Sequence, residues 1–241
     1  MSLHISASTI KDYLVCSRRV YYRLFQPERT LPSPEMLVGE IVHFALEKHW
    51  KSEKSAVDYI NNNLDNLILR SRAVSFIKNY FDNFQFLVSD NDQIEKRFKI
   101  KIPNQSDAYL VGKIDRINNS SNTIIDWKTK KSPSSIDNDP QFMVYLIAYE
   151  YLYGNEPNSL LHVSLRDCKI LRFKQDNNLM SILKNAIIPS LIGAIRNEKL
   201  VPTGLFDKKN CYLCNYKNAC FEDNGYLSHE LDHAVPNNEK G

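Results

Sequence analysis

Between residues 8 and 90 the apolar positions recur every three or four places, the period of a helix that buries one face. Ile10, Tyr13, Leu14, Val20, Tyr21 and Leu24 define the first such segment, with Ser8 placed to cap it and Pro27, Pro32 and Pro34 to end it. Further helices are expected over 35–50, 56–69 and 73–88. The period then shortens. Ile94-Glu95-Lys96-Arg97-Phe98-Lys99-Ile100 alternates as a strand does, and residues 109–117 and 123–128 are β-rich runs separated by the turn signal Asn118-Asn119-Ser120-Ser121-Asn122. A helix is expected over 141–153, strands over 160–166 and 169–173, and a long helix over 178–198. Beyond Pro202 the pattern is irregular. The class is α/β: a small sheet flanked by helices, with a helical N-terminal region and a Cys-rich C-terminal extension. One domain is expected over 1–232, comprising a helical part (8–90), an α/β core (91–200) and the Cys extension (201–225), with 233–241 a flexible tail.

Composition narrows the options. With 241 residues, 43% hydrophobic and 24% charged, the chain can bury a full core and is neither disordered nor a small disulfide scaffold. The net charge of +3 neither favours nor opposes a polyanionic partner, so any nucleic-acid role must come from a site. There is no G-x4-G-K-S/T phosphate loop, hence no motor of its own. No apolar run approaches the ~18 residues of a membrane span, and the N-terminus lacks a secretory pattern, so a cytoplasmic, reducing setting is expected. In that setting the clustered thiols among Cys16, Cys168, Cys211, Cys214 and Cys220 read as metal ligands before disulfides.

Two carboxylates stand out. If Asn118 closes the turn opposite Thr123, paired residue numbers sum to 241, and Asp115 then faces Asp126 across the hairpin, Cβ atoms ~5 Å apart. Like charges so placed repel unless a hard divalent cation sits between them. Lys128 lies two residues after Asp126 and leaves the same face. Acid, acid and ammonium on one spot suit phosphodiester hydrolysis: a metal activates water, and the ammonium neutralises charge on the phosphate. A solvated polar face with chance pairing is the plain alternative.

These residues carry a family resemblance. Gly112-Lys113-Ile114-Asp115-Arg116-Ile117 followed by Ile125-Asp126-Trp127-Lys128-Thr129 resembles the G-x-x-D-R and D-Y/W-K-T motifs of the RecB-like branch of the PD-(D/E)XK nuclease superfamily. Gly39-Glu40-Ile41-Val42-His43 is similar to its G-x-x-x-H helix motif, and Gln141-Phe142-Met143-Val144-Tyr145 to its Q-x-x-x-Y motif, in the same order over residues 8–220. The resemblance implies a restriction-endonuclease-like core and a deoxyribonuclease using Mg²⁺ or Mn²⁺. His43, Asp115, Asp126 and the Trp127 carbonyl would be metal ligands, Lys128 the catalytic lysine, and Gln141 and Tyr145 would position the DNA strand. By residue type alone, His43 also fits a satisfied histidine on an amphipathic helix, Tyr145 ordinary packing and Gln141 a surface site. Glu95, on the strand before the hairpin, is expected on a solvated face, the alternative being that it reaches the metal through water.

Cys211-x2-Cys214-x5-Cys220 provides three ligands for one centre. Cys16, within Tyr13-Leu14-Val15-Cys16-Ser17-Arg18-Arg19, resembles the distant first cysteine of the iron–sulfur RecB-like nucleases, which include AddB and the CRISPR-associated adaptation nucleases. That implies a [4Fe–4S] cluster stapling the chain, with Zn²⁺ the second choice because four thiolates suit either. Cys168 reads as a plain thiol. Arg18, Arg19 and Arg23 could line a phosphate groove, and Tyr21, Tyr22 and Phe25 could stack on bases or pack internally. The leading expectation is a single-strand DNA exonuclease of repair, recombination or replication, acting alone or with a helicase partner. The alternatives are a CRISPR adaptation nuclease with an integrase partner, and a non-catalytic DNA-binding scaffold.

Overall fold

The computed structural model describes residues 2–27, 32–203, 210–211 and 214–224; the expected tail over 233–241 lies outside them. The chain forms two compact units, one of Met1–Ala7 with Pro32–Leu183 and one of Ser8–Leu31 with Lys184–Gly241.

The first unit is built on a six-stranded mixed sheet of β1 (Leu3–Ile5), β2 (Gln93–Lys101), β3 (Ala108–Asn118), β4 (Thr123–Lys128), β5 (Ser159–Ser164) and β6 (Lys169–Arg172). β3 organises it. Antiparallel β2 runs along one edge from Gln93↔Ile117 to Lys101↔Tyr109. The other edge is shared by parallel β1 at residues 108–110 and antiparallel β4 at 116–118. β4 pairs in parallel with β5, which the crossover helix α6 (Pro140–Tyr153) makes possible, and β6 returns antiparallel. On one face pack α3 (Pro34–His49), α4 (Glu53–Asn63) and α5 (Leu67–Asn83). Their Val42, Ala45, Ile60, Ile77 and Tyr80 form one core with Ile125, Trp127, Leu161 and Val163, the alternate residues of β4 and β5. α7 (Asn177–Ile182) completes the unit.

Two parts of the G-x-x-D-R motif prove to be internal architecture. A Cβ on Gly112 would run into the ring of Phe98, its cross-strand partner, so any larger residue would require that buried ring to shift. Arg116 is 2% exposed; its Nε lies 2.6 Å from Asp92, Nη2 donates to the Ser89 carbonyl and the guanidinium sits 4.2 Å over Trp50. It is a buried, fully paired cation, and that is where buried arginines are tolerated.

Local chemistry explains where the expected helices moved. The segment expected over 56–69 ends at Asn63 because Asn66 accepts hydrogen bonds from the Ile68 and Leu69 amides and starts α5 anew. The segment expected over 8–24 is two helices, α1 (Ala7–Val15) and α2 (Ser17–Phe25), broken at extended Cys16 (φ −166°, ψ 117°). β1 was not expected, since three residues are too short to show a period.

The second unit contains α1, α2, α8 (Ile188–Arg196) and α9 (Lys217–Asn224). Ser17 ties its two segments, its N–H donating to Thr203 Oγ1 and its hydroxyl to the Val201 carbonyl. Tyr22 stacks on Tyr216 at 5.3 Å and donates to Asp223. The arginines considered above as phosphate ligands are committed here: Arg19 and Arg23 lie against Asp12, and Arg18 against Asp223 and the Tyr21 ring. Contrary to the expectation from sequence, one stretch, Asn177–Arg196, is long and apolar enough to cross a membrane by length and composition (mean hydropathy 1.4). Its Met180, Leu183, Ile188, Leu191 and Ile192 are buried, and about a third of the stretch is buried in all.

Candidate active site

The β3–β4 ladder has the register read from the turn: Asn118↔Thr123, Ile117↔Ile124, Arg116↔Ile125. It stops one pair short of Asp115 and Asp126. At that point Asp115 Oδ2 accepts the Trp127 N–H at 2.9 Å, a side chain taking the place of the next backbone bond. Both carboxylates are buried, Asp126 completely.

Asp126 is the hub. Its Oδ1 accepts hydrogen bonds from Lys128 Nζ (3.0 Å), Gln141 Nε2 (2.9 Å) and the Tyr145 hydroxyl (3.1 Å), and Lys128 Nζ lies 2.8 Å from Oδ2. Gln141 also donates to Tyr145 at 2.7 Å and accepts from Lys128 at 3.3 Å. One turn of α6 separates Gln141 from Tyr145, so both reach the sheet from one helix face. Asp139 caps that helix by accepting the Gln141 N–H at 2.8 Å, which fixes the turn that carries Gln141.

His43, from α3, reaches the other acid, with Nδ1 3.5 Å from Asp115 Oδ2. The helix approaches closely because a Cβ on Gly39 would already lie 3.3 Å from Thr129 Oγ1. Glu95 joins this side. Ligand atoms of His43, Glu95 and Asp115 all lie within 4.8 Å of one another. The expectation of a solvated Glu95 is therefore corrected: it sits half-buried, in the left-handed region (φ 53°), held by an ion pair with Lys113. The missed signal was register. β2 residues pair with β3 residues whose numbers sum to 210; the ladder skips Glu95 itself, but that sum places it beside Asp115, where the two ligand atoms lie within 4.8 Å.

Burial pushes the Asp115 carboxyl up, opposed by the cationic field of His43 and reinforced by the Asp126 charge. A divalent cation would reverse that penalty. For Lys128 burial works against the ammonium, but Asp126 and Asp115 outweigh it and hold the amine above its ordinary range, so it is charged at neutral pH. Burial, then the Asp126 charge, raises the Tyr145 phenol well above its usual value and keeps it a neutral donor. Oxygen and imidazole donors of this kind suit Mg²⁺ or Mn²⁺.

A model of the PD-(D/E)XK nuclease superfamily matches residues 4–221. The chain belongs to the PD-(D/E)XK nuclease superfamily. Nucleases of this superfamily use divalent metals, and the mixed sheet flanked by helices is its restriction-endonuclease-like core. A crystal structure of SSO0001 is similar to this PD-(D/E)XK chain at 16% identity and a TM-score of 0.50, covering 91% of this chain and 87% of that one. That likeness concerns the fold. No curated protein matches the sequence.

In its second unit this PD-(D/E)XK protein carries a cavity lined by Cys16, Cys211, Cys214 and Cys220, with Arg18, Tyr22 and Tyr216 around them. All four candidate cysteines thus line one space, while Cys168 stands exposed elsewhere. Burial raises the Cys220 thiol, and Cys16 and Cys214 add to the rise.

Proposed function

We propose that this superfamily member is a metal-dependent deoxyribonuclease acting on single-stranded DNA as an exonuclease, with a [4Fe–4S] cluster on its four cysteines. The observation that carries the catalytic reading is the convergence of Lys128, Gln141 and Tyr145 on Asp126, with Asp115 and His43 alongside. Asp115, Asp126, His43 and the Trp127 carbonyl would hold the ion, with Glu95 as a further donor. The ion supplies a polarised phosphoryl oxygen and a bound water of lowered pKa. Lys128, kept charged, donates toward the phosphate as negative charge builds there. Gln141 and Tyr145 fix the Asp126 carboxylate with donors that are all engaged within this network, so they position the strand by exchanging one of these bonds for a strand oxygen.

The cluster reading rests on spacing together with the cavity that the four cysteines line. Its role is a staple between Cys16 and the distant 211–220 segment, and Zn²⁺ is the alternative occupant. A DNA partner, and a helicase or integrase working with it, follow from the same resemblance.

The test is cleavage of end-labelled single-stranded DNA with Mn²⁺. Wild type degrades it from an end, while Lys128→Ala lowers the rate by ~10³-fold and still binds the strand. Binding without cleavage by the wild type would make the protein a scaffold.

A further inference from the structure

The outer half of the β2–β3 hairpin carries a charge pattern that the active site does not use. Register sets Arg97 against Lys113, Lys99 against Val111 and Lys101 against Tyr109, so these six side chains leave one side of the hairpin. The alternate residues Phe98, Ile100, Leu110 and Ile114 are buried on the opposite side. Arg97, Lys99, Lys101 and Lys113 are exposed. Counting by twos along both strands leads from this row to Glu95 and Asp115, so it lies in line with the candidate site. At ~3.3 Å per residue it extends ~20 Å from Asp115 to Tyr109.

These cations differ from the protein's other clustered arginines. Arg19, Arg23 and Arg116 each lie against an internal carboxylate. Lys113 is held by Glu95, and Lys99 lies 4.3 Å over the Tyr109 ring. Among the described residues no carboxylate is within ion-pair distance of Arg97, Lys99 or Lys101. A row of like charges on one strand repels itself, and a polyanion lying along it removes that cost.

We propose that Arg97, Lys99 and Lys101 form a phosphate track for the single-stranded DNA that flanks the bond being cut. This rests on the nuclease reading, and the experiment separates the two. Binding of a labelled 20-nucleotide single strand to the full-length protein is measured without divalent metal at several salt concentrations. The probe for the metal centre is hydrolysis of bis(p-nitrophenyl) phosphate with Mn²⁺, an ester too small to reach the track.

The triple variant Arg97→Gln/Lys99→Gln/Lys101→Gln should bind the strand at least tenfold more weakly. The slope of log affinity against log salt should fall by ~2, at ~0.7 per phosphate contact. Hydrolysis of the small ester should be unchanged. If the triple variant misfolds, Arg97→Gln and Lys101→Gln singly should each lower the slope by ~0.7, and Lys101→Arg should retain it. A wild-type protein inert toward the ester but showing the slope difference keeps the track and removes the catalytic reading. An unchanged slope overturns the track, also when the triple variant self-associates, which would assign these charges to protecting the edge of β2.

Discussion

The carboxylate site and the cysteine cavity are held by different means. In the first unit every acidic donor is already fixed by protein: Asp115 by the Trp127 amide, Asp126 by Lys128, Gln141 and Tyr145. They sit on β3 and β4, whose register is set within a six-stranded sheet backed by a helical layer. In the second unit the thiols come from residue 16 and from residues 211–220, nearly two hundred positions later, and meet at a cavity. A site preorganised by hydrogen bonds can release its ion and keep its shape. A site assembled from distant segments would depend on what binds there, because the proposed cluster would itself close the loop.

The largest effect that would break this contrast lies beneath the carboxylate site. Asp92→Ala leaves the buried Arg116 guanidinium without its carboxylate, and removing one partner of a buried pair costs about 3–5 kcal/mol. Thermal unfolding should shift down by roughly 10 °C, and a shift of a degree or two would show that the rigidity of β3 lies elsewhere. Next in size, the proposed [4Fe–4S] cluster should give the purified protein a brown colour, and Cys214→Ala should abolish it and lower stability by on the order of 3 kcal/mol, the scale of losing a long-range cross-link. A colourless wild type with stoichiometric zinc would replace the cluster by Zn²⁺. Slightly smaller is an alkaline effect confined to the first unit. Burial holds the Tyr80 phenol up at about 12. The folded state thus favours the neutral form, and the stability it contributes is complete below pH 10, declines as pH rises and is gone above pH 12. Urea titrations should lose about 2–3 kcal/mol over that window. Tyr80→Phe should flatten this share of the loss, and an unaltered slope in the variant would contradict it.

How far the sequence could be read follows the same division. The hairpin register was legible because five turn-forming residues fix it by counting, and Asp115, Asp126 and Lys128 followed from alternation alone. The positions of Gln141 and Tyr145 were legible from one helical turn. Glu95 was not, because a single acid on a strand looks the same whether it faces water or a second carboxylate; only pairing β2 with β3 decides. The break at Cys16 and the restart at Asn66 escaped the periodicity because one extended residue or one capping side chain interrupts a helix without changing its apolar spacing. Arg116 resembled a functional motif residue, and its burial against Asp92 and Trp50 shows the motif's arginine holding the strand in place.

In the proposed function Asp115, Asp126 and His43 hold a divalent ion within a scaffold that is already formed. Manganese binding followed by electron paramagnetic resonance tests it most directly. Wild type should bind Mn²⁺ with no change in thermal midpoint beyond that expected from ligand binding itself, and Asp115→Asn should lose that signal while staying folded. Equal Mn²⁺ binding by both proteins would contradict the account.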